Sequence, residues 1–226
     1  MTGTGTLGLL HTSPVHVPVF DGLRDRHHPG LGLRHRVDED LLARARAEGP
    51  DAVAGEVAAA LSALVADGAD AVLCTCSTIG GVAERQAAAA GVPVLRVDRP
   101  MAAEAARHRR IVVVAALRST LDPTVALIAE ESGPQPSLIG TVVVDGAWEL
   151  FEAGDRDGYL DAVAAAVDGA PPSDGVVVLA QASMADAVDR TTTSRPVLAS
   201  PRLGLAAAAR AVTARHTAET DGRPED

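Results

Sequence analysis

The sequence contains no lysine and no asparagine, so all 20 of its basic residues are arginines. The absence of lysine excludes a Schiff-base lysine, a pyridoxal phosphate enzyme and a P-loop, because each of these needs a lysine side chain. Aromatic residues are only 2% of the chain, so the base-stacking platforms of single-stranded nucleic acid binders are missing. The formal net charge of -10 repels a phosphate backbone. We therefore expect no nucleic-acid partner.

Cysteines and long apolar runs are also scarce. The two cysteines, Cys74 and Cys76, lie too close together for an unstrained disulfide and are too few for a structural zinc site. No stretch approaches the roughly 18 apolar residues of a membrane span, and the first ten residues lack the features of a signal peptide. These patterns predict reduced thiols, no membrane partner and a cytoplasmic location.

Short runs rich in Val, Leu and Ile alternate with Ala-rich helical stretches along the 226 residues. Apolar runs without polar alternation are typical of strands that are buried on both faces. The sequence therefore predicts an α/β protein with mostly parallel sheets. The predicted strands are 7–10, 71–74, 94–97, 111–115, 138–144, 176–180 and 197–199, and the predicted helices are 51–66, 80–90, 122–131, 159–167 and 205–215.

An internal repeat divides the chain. Segment 72–78 (VLCTCST) aligns without gaps with segment 178–184 (VLAQASM), and each is followed by a helix and a strand that opens with Pro-Val-Leu. We therefore predict two α/β halves of like topology. The first comprises 1–98 plus 201–216, the second comprises 99–200, and 217–226 is predicted to be a disordered tail.

Cys76 directly follows a predicted strand and precedes a helix, where backbone N–H groups and the helix dipole favour a thiolate or a bound carboxylate. Ser77 and Thr78 follow it, and Ser183 repeats Ser77 in the second half. These hydroxyls suit a carboxylate ligand, although Ser and Thr also cap helices habitually. A buried structural cysteine is the alternative for Cys76 and the preferred interpretation for Cys74.

Polar residues also follow the first predicted strand of each half. His11, Thr12 and Ser13 stand there in the first half, and Thr120 in the second. They are candidate ligand contacts, with His11 either a proton carrier or a satisfied core residue. The further histidines His27, His28 and His35 are interpreted as part of a polar loop, because no acidic ligand set accompanies them. No metal site is expected.

These residues resemble the aspartate/glutamate racemase superfamily, and the resemblance covers nearly the whole chain. Cys76-Ser77-Thr78 matches the family's first motif, Cys-Asn-Thr or a variant, and 181–183 (QAS) stands at its second motif, Gly-Cys-Thr. The resemblance implies two pseudo-symmetric Rossmann-like halves with the active site between them. It also implies a small-molecule carboxylate substrate and no cofactor. Because family members are often dimers, it further implies a homodimer as one assembly state.

The second motif carries Ala182 in place of cysteine. A site with a single cysteine resembles that of arylmalonate decarboxylases, although their cysteine is in the second half. We therefore expect a cofactor-independent enzyme that acts at the α carbon through Cys76, either racemase- or isomerase-like or a decarboxylase or other lyase. Ser77, Thr78, Thr120, Gln181 and Ser183 would bind the substrate. The alternatives are a catalytically inactive carboxylate-binding or regulatory module, and a serine hydrolase that uses Ser183 with His216 downstream.

Overall fold

The computed structural model describes residues 5–134, 137–171 and 175–221. The chain divides into two compact units. Unit 1 contains Met1–Val97 and Arg202–Asp226, and unit 2 contains Asp98–Pro201. Unit 1 is therefore discontinuous in sequence, whereas unit 2 is one continuous segment.

Unit 1 is built on four parallel strands in the order β2-β1-β3-β4. The strands are β1 (Thr6–His11), β2 (Gly32–Val37), β3 (Ala71–Cys74) and β4 (Val94–Arg96). The helices are α1 (His16–His27), α2 (Glu39–Glu48), the 3-10 helix Pro50–Val53, α3 (Ala54–Ala66), α4 (Ser77–Arg85), α5 (Ala87–Ala90) and the last helix of the chain, α10 (Ser200–Asp221).

Both faces of this sheet are covered, because alternate residues of a strand point to opposite faces. Leu7 and Leu9 of β1 pack in one core cluster with Phe20 of α1 and Leu205 of α10. Leu10 packs in the other cluster, with residues of α2, α3 and α4. The central strands β1 and β3 are therefore continuous apolar runs, as the sequence indicates.

Unit 2 repeats the same strand order, β6-β5-β7-β8, and all its strands are parallel. The strands are β5 (Arg110–Ala115), β6 (Leu138–Val143), β7 (Val176–Leu179) and β8 (Val197–Ala199). The helices are α6 (Arg99–Ala105), α7 (Arg118–Ser132), α8 (Ala147–Glu152), α9 (Arg156–Asp168) and the 3-10 helix Ala182–Arg190. The predicted α/β class with two like parallel sheets is confirmed.

The sequence analysis missed several elements of unit 1. Helices α1 and α2 and strand β2 are rich in charged residues and lack the long apolar runs of the central strands. The predicted histidine loop is only partly correct: His28 lies in the connection between α1 and β2, whereas His27 ends α1 and His35 lies within β2. As an edge strand, β2 carries the exposed Arg34 and Arg36, a charge pattern that protects sheet edges from further pairing.

Helix α10 extends beyond the predicted end of the last helix. The predicted tail 217–226 starts inside it, since the helix continues to Asp221, and 222–226 lie outside the described residues. Within the described ranges, no helix combines the length and the apolar character needed to cross a membrane.

The contact between α10 and the end of β4 depends on a glycine. A Cβ atom at Gly204 would lie 2.6 Å from the carbonyl oxygen of Val97, whereas a Cβ atom at Gly55 in α3 would meet no atom within 4 Å. We expect Gly204→Ala to lower the free energy of unfolding by about 1 to 3 kcal/mol through overpacking. The matched control Gly55→Ala gains about 0.5 kcal/mol from helix propensity. Urea unfolding measures both, and a neutral Gly204→Ala would contradict this close approach.

Candidate active site

Parallel pairing brings the ends of β1 and β3 together at one edge of the unit 1 sheet. Leu10 pairs with Cys74, so the segments that follow these residues leave the sheet side by side. In open α/β sheets, ligands bind at this carboxyl edge. The polar residues and the thiol that follow the two strands here are Thr12, Ser13, Thr75, Cys76, Ser77 and Thr78.

Cys76 is the N-cap residue of α4. Its backbone is extended, with φ -106° and ψ 117°, and its side chain makes no capping hydrogen bond to the helix. The thiol is therefore not occupied by the first turn, and the partial positive charge of the helix N-terminus favours an anion beside it. Cys76 is 9% exposed and Cys74 is 0% exposed, and neither is in a disulfide. The burial of Cys74 agrees with its structural interpretation.

Ser77 and Thr78 form the first turn of α4, where both are buried. Helix N-termini with hydroxyl groups are suited to bind carboxylates. Arg96, the last residue of β4, is buried as well, and its side chain lies beside Gly80 and Gly81 of α4. A Cβ atom at Gly80 would lie only 3.0 Å from the Cβ of Arg96, so the glycine pair makes room for this side chain. The arginine adds a positive charge at the same sheet edge.

Four side chains contact one another in a row, which we call the histidine line. They are Thr75, His11, His35 and Asp21. Nδ1 of His11 lies 2.8 Å from Oγ1 of Thr75, and Nε2 of His11 lies 2.8 Å from Nδ1 of His35. Nε2 of His35 then lies 3.3 Å from Oδ1 of Asp21 on α1. The line runs from a half-buried carboxylate to the residue that precedes Cys76.

His11 is held as a neutral side chain. It is 0% exposed, and burial together with the nearby His16 and His35 lowers its pKa from 6.5 to about 3. Burial likewise lowers the pKa of His16 to about 4. Because both ring nitrogens of His11 already have partners within the protein, the geometry favours a satisfied core histidine over direct contact with a ligand.

Gln181 is aligned with Thr75 in the internal repeat, but in the structure it is the N-cap residue of the 3-10 helix Ala182–Arg190, as Cys76 is of α4. Its Oε1 accepts hydrogen bonds from the backbone N–H groups of Ala116 (2.7 Å) and Leu117 (3.1 Å), which follow β5. Thr75 Oγ1 lies 3.2 Å from the carbonyl oxygen of Leu10, the residue before the end of β1. In each unit, a side chain from the segment that follows the central strand therefore ties that segment to the end of the neighbouring strand.

Ser183 has a tyrosine as its partner. Its Oγ lies 2.8 Å from the hydroxyl of Tyr159, whose pKa burial raises to about 12. A serine nucleophile needs a basic partner such as histidine, and Nε2 of His216 instead lies 3.3 Å from Oδ2 of Asp70 within unit 1. These contacts argue against the serine hydrolase alternative. Substrate binding by Ser183 stays a prediction.

Thr120 lies in the first turn of α7 and is 1% exposed. Helix α7 begins at Arg118, four residues before the predicted start, so Thr120 is helical. Its N–H donates to the carbonyl of Leu117 at 3.1 Å. Its role as a substrate contact stays a prediction.

Asp21, Arg96 and Tyr159 were not predicted to belong to any site, and His35 was predicted only as part of a polar loop over the cleft. For His35 a signal was present, because Leu33 and His35 alternate with Arg34 and Arg36, which is the period of a half-buried strand. Arg96 interrupts an otherwise apolar strand in the same way. Asp21 and Tyr159 carry no such signal, since their roles depend on contacts between distant segments. Among the described residues, no group of three or more His, Cys, Asp and Glu side chains could hold a metal ion.

Comparison with solved structures identifies the architecture. An aspartate racemase from Picrophilus torridus superposes with a TM-score of 0.69 at 14% identity, covering 92% of this chain and 94% of its own. A putative Asp/Glu racemase from Yersinia pestis gives 0.66 at 18%, covering 92% and 99%. An arylmalonate decarboxylase gives 0.63 at 20%, covering 92% of each chain. The chain has the Asp/Glu racemase fold. No protein-family model matches the sequence, and no curated protein does.

The two neutral histidines of this racemase-fold chain make its stability depend on pH. In the unfolded state they take up protons near their ordinary pKa of 6.5, whereas in the folded state they do so only near 3 and 4. The unfolded state thus binds more protons between these values, so the free energy of unfolding falls as the pH drops below 6.5. Each histidine contributes at most about 1.4 kcal/mol per pH unit.

Urea unfolding between pH 7 and pH 5 should therefore show a steep loss of stability on acidification. We expect His16→Gln to make this dependence shallower by about one proton, because it removes one of the two buried neutral histidines. Parallel slopes for wild type and His16→Gln would contradict the buried neutral state of His16.

Proposed function

We propose that the protein is a cofactor-independent enzyme that moves a proton at the α carbon of a small carboxylate through Cys76. The position of the Cys76 thiol carries this proposal: it stands at the N-terminus of α4, with Ser77 and Thr78 in the first helical turn. The similarity to racemases and to a decarboxylase, which share the fold, supports it.

The carboxylate is bound by the first turn of α4. The hydroxyls of Ser77 and Thr78 and the backbone N–H groups of this turn donate hydrogen bonds to its oxygens. These interactions strengthen when the carboxylate becomes an enediolate, because more negative charge then resides on the oxygens. The buried Arg96 beside α4 adds to the electrostatic attraction.

Cys76 makes or breaks the bond between the α carbon and hydrogen. As a thiolate it removes the α proton: the C–H bond breaks, an S–H bond forms, and the electron pair passes into the enediolate. As a thiol it donates a proton to an enediolate, for example one left when a malonate loses carbon dioxide. The same residue serves both directions.

One thiol serves one face of the α carbon. Two-base racemisation requires an acid or base on each face, and the position of the repeat that corresponds to Cys76 is Ala182, a methyl group. This difference favours one-sided chemistry, such as decarboxylation with protonation, over symmetric racemisation. The fold tolerates such a change: a liganded arylmalonate decarboxylase with one glycine changed to cysteine and one cysteine changed to serine superposes with a TM-score of 0.61.

General rate enhancements indicate how the acceleration divides between Cys76 and the groups that stabilise the enediolate. A positioned acid or base contributes about 10² to 10⁴ in rate. Enzymes as a class lower their barriers by about 8 to 23 kcal/mol. Most of the acceleration in this proposal therefore comes from the groups that stabilise the enediolate, and Cys76 determines which atom receives the proton.

Proton NMR in D2O tests the proposal with a panel of amino acids, hydantoins, maleate and substituted malonates. We expect exchange, isomerisation or decarboxylation of one class, and a loss of about 10² to 10⁴ in kcat for Cys76→Ala. The matched control is Cys74→Ala, which removes the other thiol two residues away and should keep kcat within a few fold of wild type. Equal losses in both variants would contradict a chemical role for Cys76.

Ala182 also motivates the alternative of an inactive carboxylate-binding module. That alternative predicts no turnover across the panel, and a bound carboxylate that protects Cys76 from alkylation. Turnover by Cys76→Ala within a few fold of wild type would refute a Cys76 enzyme.

A further inference from the structure

The line from Asp21 to Thr75 has one more polar contact than it has hydrogen atoms that can be donated in those contacts. It includes four contacts: Asp21 to His35, His35 to His11, His11 to Thr75, and Thr75 Oγ1 to the carbonyl oxygen of Leu10. Neutral His35, neutral His11 and the Thr75 hydroxyl supply one hydrogen each. With Asp21 ionised, three hydrogens serve four contacts, so one contact is unsatisfied.

In the neutral state, each hydrogen is donated towards the Asp21 end of the line. Nε2–H of His35 donates to Asp21, Nε2–H of His11 donates to Nδ1 of His35, and the Thr75 hydroxyl donates to Nδ1 of His11. The carbonyl of Leu10 then keeps only the hydrogen bond from the backbone N–H of Thr75, at 3.0 Å.

One added proton satisfies all four contacts and reverses the inner part of the line. Doubly protonated His35 donates to Asp21 and also to Nε2 of His11. His11, still neutral, now carries its hydrogen on Nδ1 and donates to Thr75. The Thr75 hydroxyl turns and donates to the carbonyl of Leu10.

We propose that Asp21, His35, His11 and Thr75 form a one-proton switch, which takes up its proton at His35 and reorients the Thr75 hydroxyl next to Cys76. Thr75 and the two histidines are positioning residues, since the Thr75 hydroxyl contacts His11 and the carbonyl of Leu10, and Thr75 directly precedes Cys76 in the chain. The switch changes how firmly the turn before Cys76 is tied to β1. The proposed switch rests on the proposed function only in its effect on turnover.

The surroundings of the line support this assignment. His35 is 17% exposed at its side chain, so a proton from water reaches it, whereas His11 is fully buried between Phe20 and His35. The low pKa of His11 keeps its ring neutral in both states, so only its tautomer changes.

Charged and titratable groups of the neighbouring elements face the outer end. On α1, Arg24 lies 3.6 Å from the carboxylate of Asp21. His16, also on α1, is buried near His11 and is neutral above pH 4. On β2, Arg34 and Arg36 flank His35 in sequence, but both are exposed. The segment after β3 contributes the uncharged Thr75.

Nitrogen-15 NMR of the histidine rings between pH 4.5 and pH 8.5 tests the switch without any substrate. We expect His11 to stay neutral while its hydrogen moves from Nε2 to Nδ1 as the pH falls, with the midpoint at which His35 takes up its proton. Asp21→Asn should displace this midpoint, because it removes the carboxylate that lies beside Nε2 of His35. Asp25→Asn, which removes the neighbouring carboxylate that binds Arg24, should leave it in place. A single tautomer of His11 throughout, or two different midpoints, overturns the proposal.

Alkylation of Cys76 by iodoacetamide tests the coupling to the thiol, in a Cys74→Ala background so that one thiol reports. The rate divided by the measured thiolate fraction should change by about twofold or more at the midpoint of the switch, the effect of one hydrogen bond in the turn. Thr75→Val should abolish this step, and Thr75→Ser should retain it. A step that persists in Thr75→Val, or a flat profile in the Cys74→Ala parent, overturns the coupling. Neither result depends on turnover, so failure here is distinct from failure of the proposed function.

Discussion

The parallel pairing of β1 with β3 determines where every candidate group of unit 1 lies. It aligns the ends of the two strands, and the alternation of side chains then sends successive residues to opposite faces of the sheet. Cys74 and Cys76 belong to the cluster that contains α3 and α4, whereas Leu73 belongs to the cluster formed with α1 and α10. Thr75 and His11 follow this alternation onto the second face. The thiol and the histidine line therefore lie on opposite faces of the unit 1 sheet. The turn that contains Thr75 and Cys76 connects them.

The two units show how one architecture carries two sets of side chains. Thr75 and Gln181 are aligned in the repeat, but the threonine hydroxyl contacts a carbonyl and a histidine, while the glutamine oxygen accepts two backbone N–H groups. The next residue is Cys76 in one unit and Ala182 in the other. The strand order is the same in both units, whereas the side chains at the ends of the strands differ. A repeat therefore indicates where a site lies better than it indicates what both sites do.

The parts of the fold that could be predicted are those governed by local pattern. Buried runs such as 71–74 and 176–179 have no polar alternation, and the shared segment around Cys76 revealed the repeat. Strand β2 was missed because it is an edge strand with charged residues on its exposed side. The thiol and its helix were within reach of sequence reasoning, since strand, cysteine and helix follow one another directly. The partners of His11 and Ser183 were not, because Asp21, His35 and Tyr159 meet them only through the tertiary fold.

The last helix has a consequence for how the chain assembles. Leu205, Ala208 and Val212 of α10 cover the same face of the first sheet as Leu7 and Leu9, which are made almost two hundred residues earlier. During synthesis from the N-terminus, that apolar face has no α10 to cover it until unit 2 has been completed. Unit 2 is continuous and can fold first, so the apolar face of the first strands must avoid aggregation until α10 has emerged from the ribosome.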